Sequence, residues 1–354
     1  FYASPRIAPD GITLAWIQWK HPNMPWDSTE LWVGEFVDGV VTSGRRLVGN
    51  GNEALQQPEW TETGHLLVVT DRTDWWNVYD ADLASGELTH LAGGAHDVVQ
   101  PAWVFGGSSY AAGIDGVDAH VARSPEGDRL VVGADEFPTG CTALSELRWS
   151  TDGSLVFVGA SYRTEPEVFR LRDGELEVLR PSGAMPLAEA FLPAPELIEF
   201  PSGDGVAYGL FYAPAHADVE LPPGELPPVI VTVHGGPTSR TGRQYAPTDR
   251  FWTSRGIAVL ALDYRGSSGY GRAYRDLLRG NWCKTDVEDA VAAVDHLVAA
   301  GRVDGDRAVI RGGSAGGSTT LLALALTDRF ATGANLFGVA DLTALLTDDH
   351  KFES

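Results

Sequence analysis

Hydrophobic and polar positions alternate with two different periods along this 354-residue chain. Up to about residue 180 the apolar residues come in short runs that alternate with polar ones, the period of half-buried strands. Four of these runs align on a glycine: "SPRIAPDGITLAWI", "QPEWTETGHLLVV", "QPAWVFGGSSYAA" and "ELRWSTDGSLVFV". The shared glycines are Gly11, Gly64, Gly107 and Gly153, and Ile7, Trp60, Trp103 and Trp149 stand four places before them. Each unit reads as strand, polar turn, strand, and further strands follow in "TELWVGEFVDG" and "PEVFRLRDGELEVL". A repeat of roughly 40–50 residues with four strands per unit predicts a β-propeller, of which about four blades are visible. A β-sandwich is the competing arrangement, but the constant aromatic-to-glycine offset argues for blades. The aromatic residues, including those of "DRTDWWNVYD" (71–80), are expected to pack between blades rather than to stack on a ligand.

Residues 180–195, rich in proline and without a period, read as a linker. Beyond them the pattern changes. "ELIEFPSGDGVAYGLFYAP" (196–214) predicts a hairpin around Gly-Asp-Gly. "PPVIVTVHGGP" (227–237), "GIAVLALDYRG" (256–266) and "RAVIRG" (307–312) are the uninterrupted runs of strands buried on both faces. "TDVEDAVAAVDHLVAAG" (285–301) places Val287, Ala290, Val291, Val294, Leu297 and Val298 on one helical face. Thr285 with Glu288 suggests a capping box, and Gly301 a stop. Asp286 and Glu288 would then act on the helix N-terminus electrostatically. One more strand is expected within 331–342. Strands alternating with helices predict a mostly parallel, doubly wound α/β sheet. The domains are accordingly expected at 1–195, a partial propeller with its linker, and 196–354, a partial α/β-hydrolase.

The segment "VIRGGSAGGSTTLLALALTD" (309–328) carries the chemistry. It sets one serine among four glycines where a strand becomes a helix. A P-loop needs a lysine after its last glycine, and Ser318 stands there instead. The spacing is not that of a dinucleotide loop either. It fits G-x-S-x-G, a nucleophile elbow in which Ser314 is exposed on a strained turn, and the N–H of Ala315 points to where an oxyanion would form. The flanking positions must be small because strand and helix backbones pass close together.

With these motifs in place, the chain resembles the prolyl oligopeptidase family of serine peptidases, α/β-hydrolases with an N-terminal propeller. The likeness is greatest to its acylaminoacyl-peptidase and dipeptidyl-aminopeptidase branch. It rests on "HPNMPWDSTELWV" (21–33), "VHGGPTS" (233–239), "DYRGSSGYGRAY" (263–274) and "RGGSAGGSTT" (311–320), in that order. In "GNWCKTDVEDA" this chain has Cys283 where the family usually has glycine. The resemblance implies Ser314 as nucleophile and an oxyanion hole from the N–H groups of Ala315 and Gly236. It implies short peptides as substrates, no cofactor, and leaves a homo-oligomer open. His234 precedes the serine, whereas this fold places its base last in the order Ser, Asp, His, so His234 reads as structural. Tyr264 and Arg265 read as braces of the 233–239 loop. The acids after the serine are Asp328, Asp341, Asp348 and Asp349, and the one histidine is His350. The family's Asp and His lie farther along, so His350 is not assigned as base. Esterase chemistry on the same elbow and a non-catalytic propeller module are the rival readings.

Composition changes this picture little. A net charge of −22 argues against nucleic acid or an anionic membrane as partner. No run has the length of a membrane span. Residues 1–20 show no signal-peptide pattern, which makes the cytoplasm the default expectation. Cys141 and Cys283 are too few for a disulfide framework, and the nine histidines show no metal-binding spacing. The chain opens on Phe1 and breaks off before the expected last strands, so a fragment of a longer peptidase is expected.

Overall fold

A computed structural model describes residues 1–183, 187–343 and 352. Four four-stranded antiparallel sheets come first. The first comprises β1 Tyr2–Ile7, β2 Thr13–Gln18, β3 Glu30–Val37 and β4 Val40–Val48, and the second β5 Leu55–Trp60, β6 Leu66–Thr73, β7 Trp75–Ala81 and β8 Leu88–Ala92. The third comprises β9 Tyr110–Ala112, β10 Val117–Arg123, β11 Asp128–Val132 and β12 Asp135–Phe137, and the fourth β13 Ala143–Trp149, β14 Leu155–Ser161, β15 Thr164–Arg172 and β16 Glu175–Arg180. Period-2 alternation gives each sheet apolar faces that only a neighbouring sheet can bury. Ile17, Leu31 and Val33 of the first accordingly pack on Leu55, Leu66 and Val68 of the second. Val121 and Leu130 of the third pack on Leu144, Leu155 and Phe157 of the fourth.

The repeat alignment holds for three units. Gly11, Gly64 and Gly153 take φ of +74°, +92° and +79° in the turn between the first two strands of their sheets. The third unit departs from it. The residues before Gly107 form no strand but a tight turn, Trp103 N–H to Pro101 O at 2.8 Å, with Gly106 at φ +86°. The expected blade-to-blade role of the aligned aromatics therefore needs correction. Trp60 does bridge sheets, its indole N–H donating to Arg6 O at 3.0 Å. Ile7 and Trp149 are exposed. Trp103 packs against the cluster of Trp76, Val78 and Tyr110 between the second and third sheets, but its indole N–H has its partner in the second half of the chain.

That second half is one six-stranded mixed sheet of order β17-β18-β20-β19-β21-β22. Its strands are β17 Glu196–Ser202, β18 Gly205–Tyr212, β19 Val229–Val233, β20 Ala258–Asp263, β21 Ala308–Gly313 and β22 Thr332–Leu336. β17, β18 and β20 pair antiparallel; β20, β19, β21 and β22 pair parallel. The helices are α1 Pro247–Thr253, α2 Gly271–Asp276, α3 Thr285–Ala299 and α4 Ala315–Leu326. α3 buries Val287, Ala290, Val294 and Leu297 against Val231, Leu260 and Ile310 of the sheet, while Val298 stays exposed. The predicted capping box is absent: Lys284 is the N-cap, no side chain caps the helix, and Glu288 turns instead to Arg265 at 3.1 Å. Gly301, at φ +66°, does follow the helix end.

Ion pairs hold the sheets of the two halves together. Asp71, fully buried, accepts from Arg275 at 2.5 Å and Arg272 at 2.9 Å, both on α2. Arg275 also lies 4.1 Å over the ring of Trp76. The segment 71–80 thus packs as expected and serves as a docking surface as well. Asp128 of the third sheet receives Arg240 at 2.6 Å and Arg123 at 2.5 Å. Removing one partner strands the other charges away from water. Asp71→Ala is therefore expected to lower stability by about 3–5 kcal/mol in urea denaturation, and an unchanged midpoint would show that the contact is not formed.

Candidate active site

Ser314 sits where β21 hands over to α4, at φ +53° and ψ −123°. This is a left-handed conformation that a side chain rarely adopts. Packing forces it. α4 runs so close to the sheet that a Cβ on Gly316 would lie 2.3 Å from Val233 O, and one on Gly312 2.3 Å from Gly316 O. A Cβ on Gly317 would lie 2.4 Å from Asn335 Oδ1. The elbow is tied to the next strand by Ser314 N–H to Leu336 O at 3.1 Å. Ser314 O takes the N–H of Gly317 at 2.9 Å. The serine side chain is left exposed.

The 234–239 loop passes directly beside it. A Cβ on Gly235 would stand 3.3 Å from Ser314 Cβ, and Gly236 takes φ +123° before a cis bond to Pro237. Ser314, Ala315 and Gly236 open onto one cavity of about 290 Å³. No described residue accepts the amide hydrogens of Ala315 or Gly236. Two N–H donors beside an exposed hydroxyl are what acyl transfer requires for a developing oxyanion.

The loop is braced from behind. Tyr264 donates its hydroxyl to Pro237 O at 2.8 Å, as expected for a brace. His234 stacks on Tyr264 at 4.4 Å between ring centres, with Nε2 2.8 Å from Ser267 Oγ and Nδ1 2.8 Å from Gly235 O. Burial pushes the imidazole pKa down, so His234 is held neutral. Arg265 differs from expectation. It binds Asp289 at 2.8 Å and Glu288 at 3.1 Å, and so braces α3 rather than the loop. Asp286 lies in the first turn of α3 as expected, where it is buried and accepts from Thr319 of α4. Cys283, at φ +69°, occupies a backbone conformation that favours glycine, and burial pushes its thiol up to about 11.

Among the described residues no side chain hydrogen-bonds the Ser314 hydroxyl, and no three metal-ligating groups gather. Asp341 accepts from Thr343 at 2.6 Å, and Asp328 is exposed. Asp348, Asp349 and His350 lie outside the described residues. No described helix is long and apolar enough to cross a membrane.

The remaining walls of the cavity were not foreseen. Met24, Trp26, Asp27 and Trp103 come from the propeller side, and Leu278, Arg279 and Trp282 from the other. Trp26 and Trp103 meet at 4.3 Å between ring centres. The one available signal was at Trp26, which follows Pro22 and Pro25 outside the strand alternation; Trp103 lies in an aligned repeat and gave none.

A propeller set over an α/β-hydrolase elbow defines a class of hydrolase, and comparison with known proteins narrows it. Residues 244–354 match the prolyl oligopeptidase family. A solved structure of a puromycin-hydrolyzing peptidase from Mycobacterium tuberculosis superposes with a TM-score of 0.94 at 36% identity, covering 100% of this chain and 56% of that one. Dipeptidyl aminopeptidase BIII of Pseudoxanthomonas mexicana is 36% identical over 121 residues, 34% of this chain and 18% of that protein. An acylamino-acid-releasing enzyme of Arabidopsis thaliana is 35% identical over 124 residues, 35% of this chain and 16% of that protein. Over residues 244–354 the chain matches the prolyl oligopeptidase family, and over its full length it resembles the mycobacterial peptidase. It spans little more than half of the mycobacterial peptidase.

The elbow packing is directly testable. Gly316→Ala forces a methyl into Val233 O and is expected to destabilise by about 1–3 kcal/mol, read as a lowered denaturation midpoint. A midpoint equal to that of the parent would mean that α4 lies farther from β19 than described.

Proposed function

We propose that the protein of which this chain is part is a serine peptidase that hydrolyses short peptides through an acyl-enzyme on Ser314. The observation that carries the reading is the exposed elbow serine beside two unengaged amides, in a cavity closed on its far side by propeller residues. In this reading residues 1–195 are propeller and linker, and residues 196–354 belong to the catalytic domain. The Ser314 Oγ attacks the scissile carbonyl carbon while a histidine outside the described residues takes its proton. The C=O electrons move onto oxygen, and the N–H groups of Ala315 and Gly236 receive the resulting oxyanion. Collapse expels the amine, protonated by the same histidine, and water then releases the acyl group by the reverse sequence. His234 takes no part, because its ring nitrogens are engaged by Gly235 O within the loop and by Ser267 Oγ behind it.

The cavity gives a substrate class. Trp26, Trp103, Trp282, Met24, Leu278 and Val339 supply its apolar walls, and the charged Asp27, Arg275, Asp276 and Arg279 also line it. A volume of about 290 Å³ suits one apolar side chain and its neighbouring residue, not a folded protein. This agrees with relatives named as a dipeptidyl aminopeptidase, an acylamino-acid-releasing enzyme and a puromycin-hydrolyzing peptidase. The preferred substrate is a short peptide or aminoacyl amide with a hydrophobic residue at the cleaved bond.

The test is kcat/KM of the complete protein on matched amides and esters bearing phenylalanine, leucine or aspartate. Amide turnover with phenylalanine or leucine preferred, falling by at least about 10⁴-fold in Ser314→Ala, is the expected result. Turnover of the esters alone would mean an esterase. Turnover unchanged in Ser314→Ala would remove the serine from the mechanism.

A further inference from the structure

We propose that Trp103, a propeller residue, is a positioning residue for the oxyanion hole. The proposal rests on the assignment of Ser314 and Gly236 above. Trp103 belongs to the one repeat unit in which the residues before the aligned glycine form no strand, and the chain there turns toward the hydrolase instead of pairing. Its indole Nε1–H donates to Thr238 O at 2.7 Å, a short, well-formed bond between residues 135 positions apart. Thr238 is two residues beyond Gly236.

The carbonyls of this loop have different owners. Pro237 O is held from within the hydrolase, by the Tyr264 hydroxyl at 2.8 Å and by Ser239 N–H at 2.9 Å. Ser239 O is held by Ser268 N–H at 2.8 Å. Thr238 O, between them, is held by the propeller through Trp103. Among the described residues it has no other donor. The loop has little stiffness of its own here, because Gly235 and Gly236 adjoin and Gly236 stands at φ +123°. The peptide that carries the Gly236 amide is held on one side at Gly235 O by His234 Nδ1 at 2.8 Å, and the bond to Thr238 O holds the loop on the other side. Trp103 is itself fixed by packing on Trp26, at 4.3 Å between ring centres. The docked propeller thereby sets the direction of a donor on the other domain. A donor aimed at the oxyanion position is effective only if it is held there before the charge develops.

Two replacements in the complete protein test this: Trp103→Phe, and Trp103 replaced by 3-benzothienylalanine, which keeps the ring shape and lacks the N–H. Each is assayed for amide kcat and KM, for Ki of a peptide boronic acid that forms the tetrahedral adduct, and for hydrogen exchange of the peptide spanning 234–240. Loss of an oxyanion donor costs about 10²–10³-fold, and misdirecting one should cost less. Both variants are therefore expected to lose roughly tenfold in kcat and in boronate affinity, with KM within about twofold and faster exchange in 234–240. A rise in KM at unchanged kcat would overturn the proposal and leave Trp103 as a wall of the cavity. Full activity of the benzothienyl variant would also overturn it, since the N–H would then be dispensable. The exchange readout does not depend on turnover: protection unchanged in both variants overturns the proposal even in an active enzyme. A parent protein inactive on amides would instead overturn the peptidase reading, and the exchange data would still decide whether Trp103 holds the loop.

Discussion

The close approach of α4 to the ends of β19 and β22 is the constraint on which the rest of the structure depends. Gly316 lies against Val233 O and His234 O, and Gly317 against Asn335 and Gly338, at distances that leave no room for a side chain. With the helix so near, the single residue joining β21 to α4 must reverse direction sharply, and Ser314 takes φ +53° to do so. The same closeness brings Gly235 into contact with Ser314 and so puts the 234–239 loop at the elbow. One packing requirement therefore produces three features together: an exposed hydroxyl, a free helix N-terminal amide at Ala315, and a neighbouring glycine loop. The strain at the serine persists because its N–H donates to Leu336 O and its carbonyl accepts from Gly317 N–H, which fixes it on both sides.

The second requirement is that the propeller be held in register with this elbow. Asp71 and Asp128 each bind two arginines, and Arg275, Arg272 and Arg240 among these come from the hydrolase. Buried ion pairs of this kind give orientation more reliably than net stability. Their effect here is geometric: Trp26 and Trp103 are brought to the cavity of Ser314, which takes its walls from both halves. A propeller rotated by a few degrees would retain its own core and lose both the wall and the bond to Thr238.

Much of the fold was legible in the sequence because its signals are local. Period-2 alternation and turn glycines marked the sheets, the β-branched runs marked β19, β20 and β21, and G-x-S-x-G marked the elbow from five residues. What escaped was set by partners far away in the chain. Trp103 matches Trp60 in its repeat position, yet one bonds a neighbouring sheet and the other a loop 135 residues on. Thr285 and Glu288 have capping-box spacing, but Arg265 offers the glutamate a stronger, charged partner. Arg265 itself adjoins Tyr264, which does brace the loop, and turns to the opposite side because Asp289 is buried there and needs a cation. No general base was read from the sequence: the one histidine after Ser314, His350, was not assigned as base and lies outside the described residues.

The central claim is that Ser314 is a reactive nucleophile, and the direct measurement is covalent labelling. The complete protein is treated with a fluorophosphonate, digested, and the adduct located by mass spectrometry. The account predicts one adduct per chain, on the hydroxyl of Ser314, and none after denaturation. A protein that stays unlabelled in its native state, or that is labelled on another residue, would contradict it.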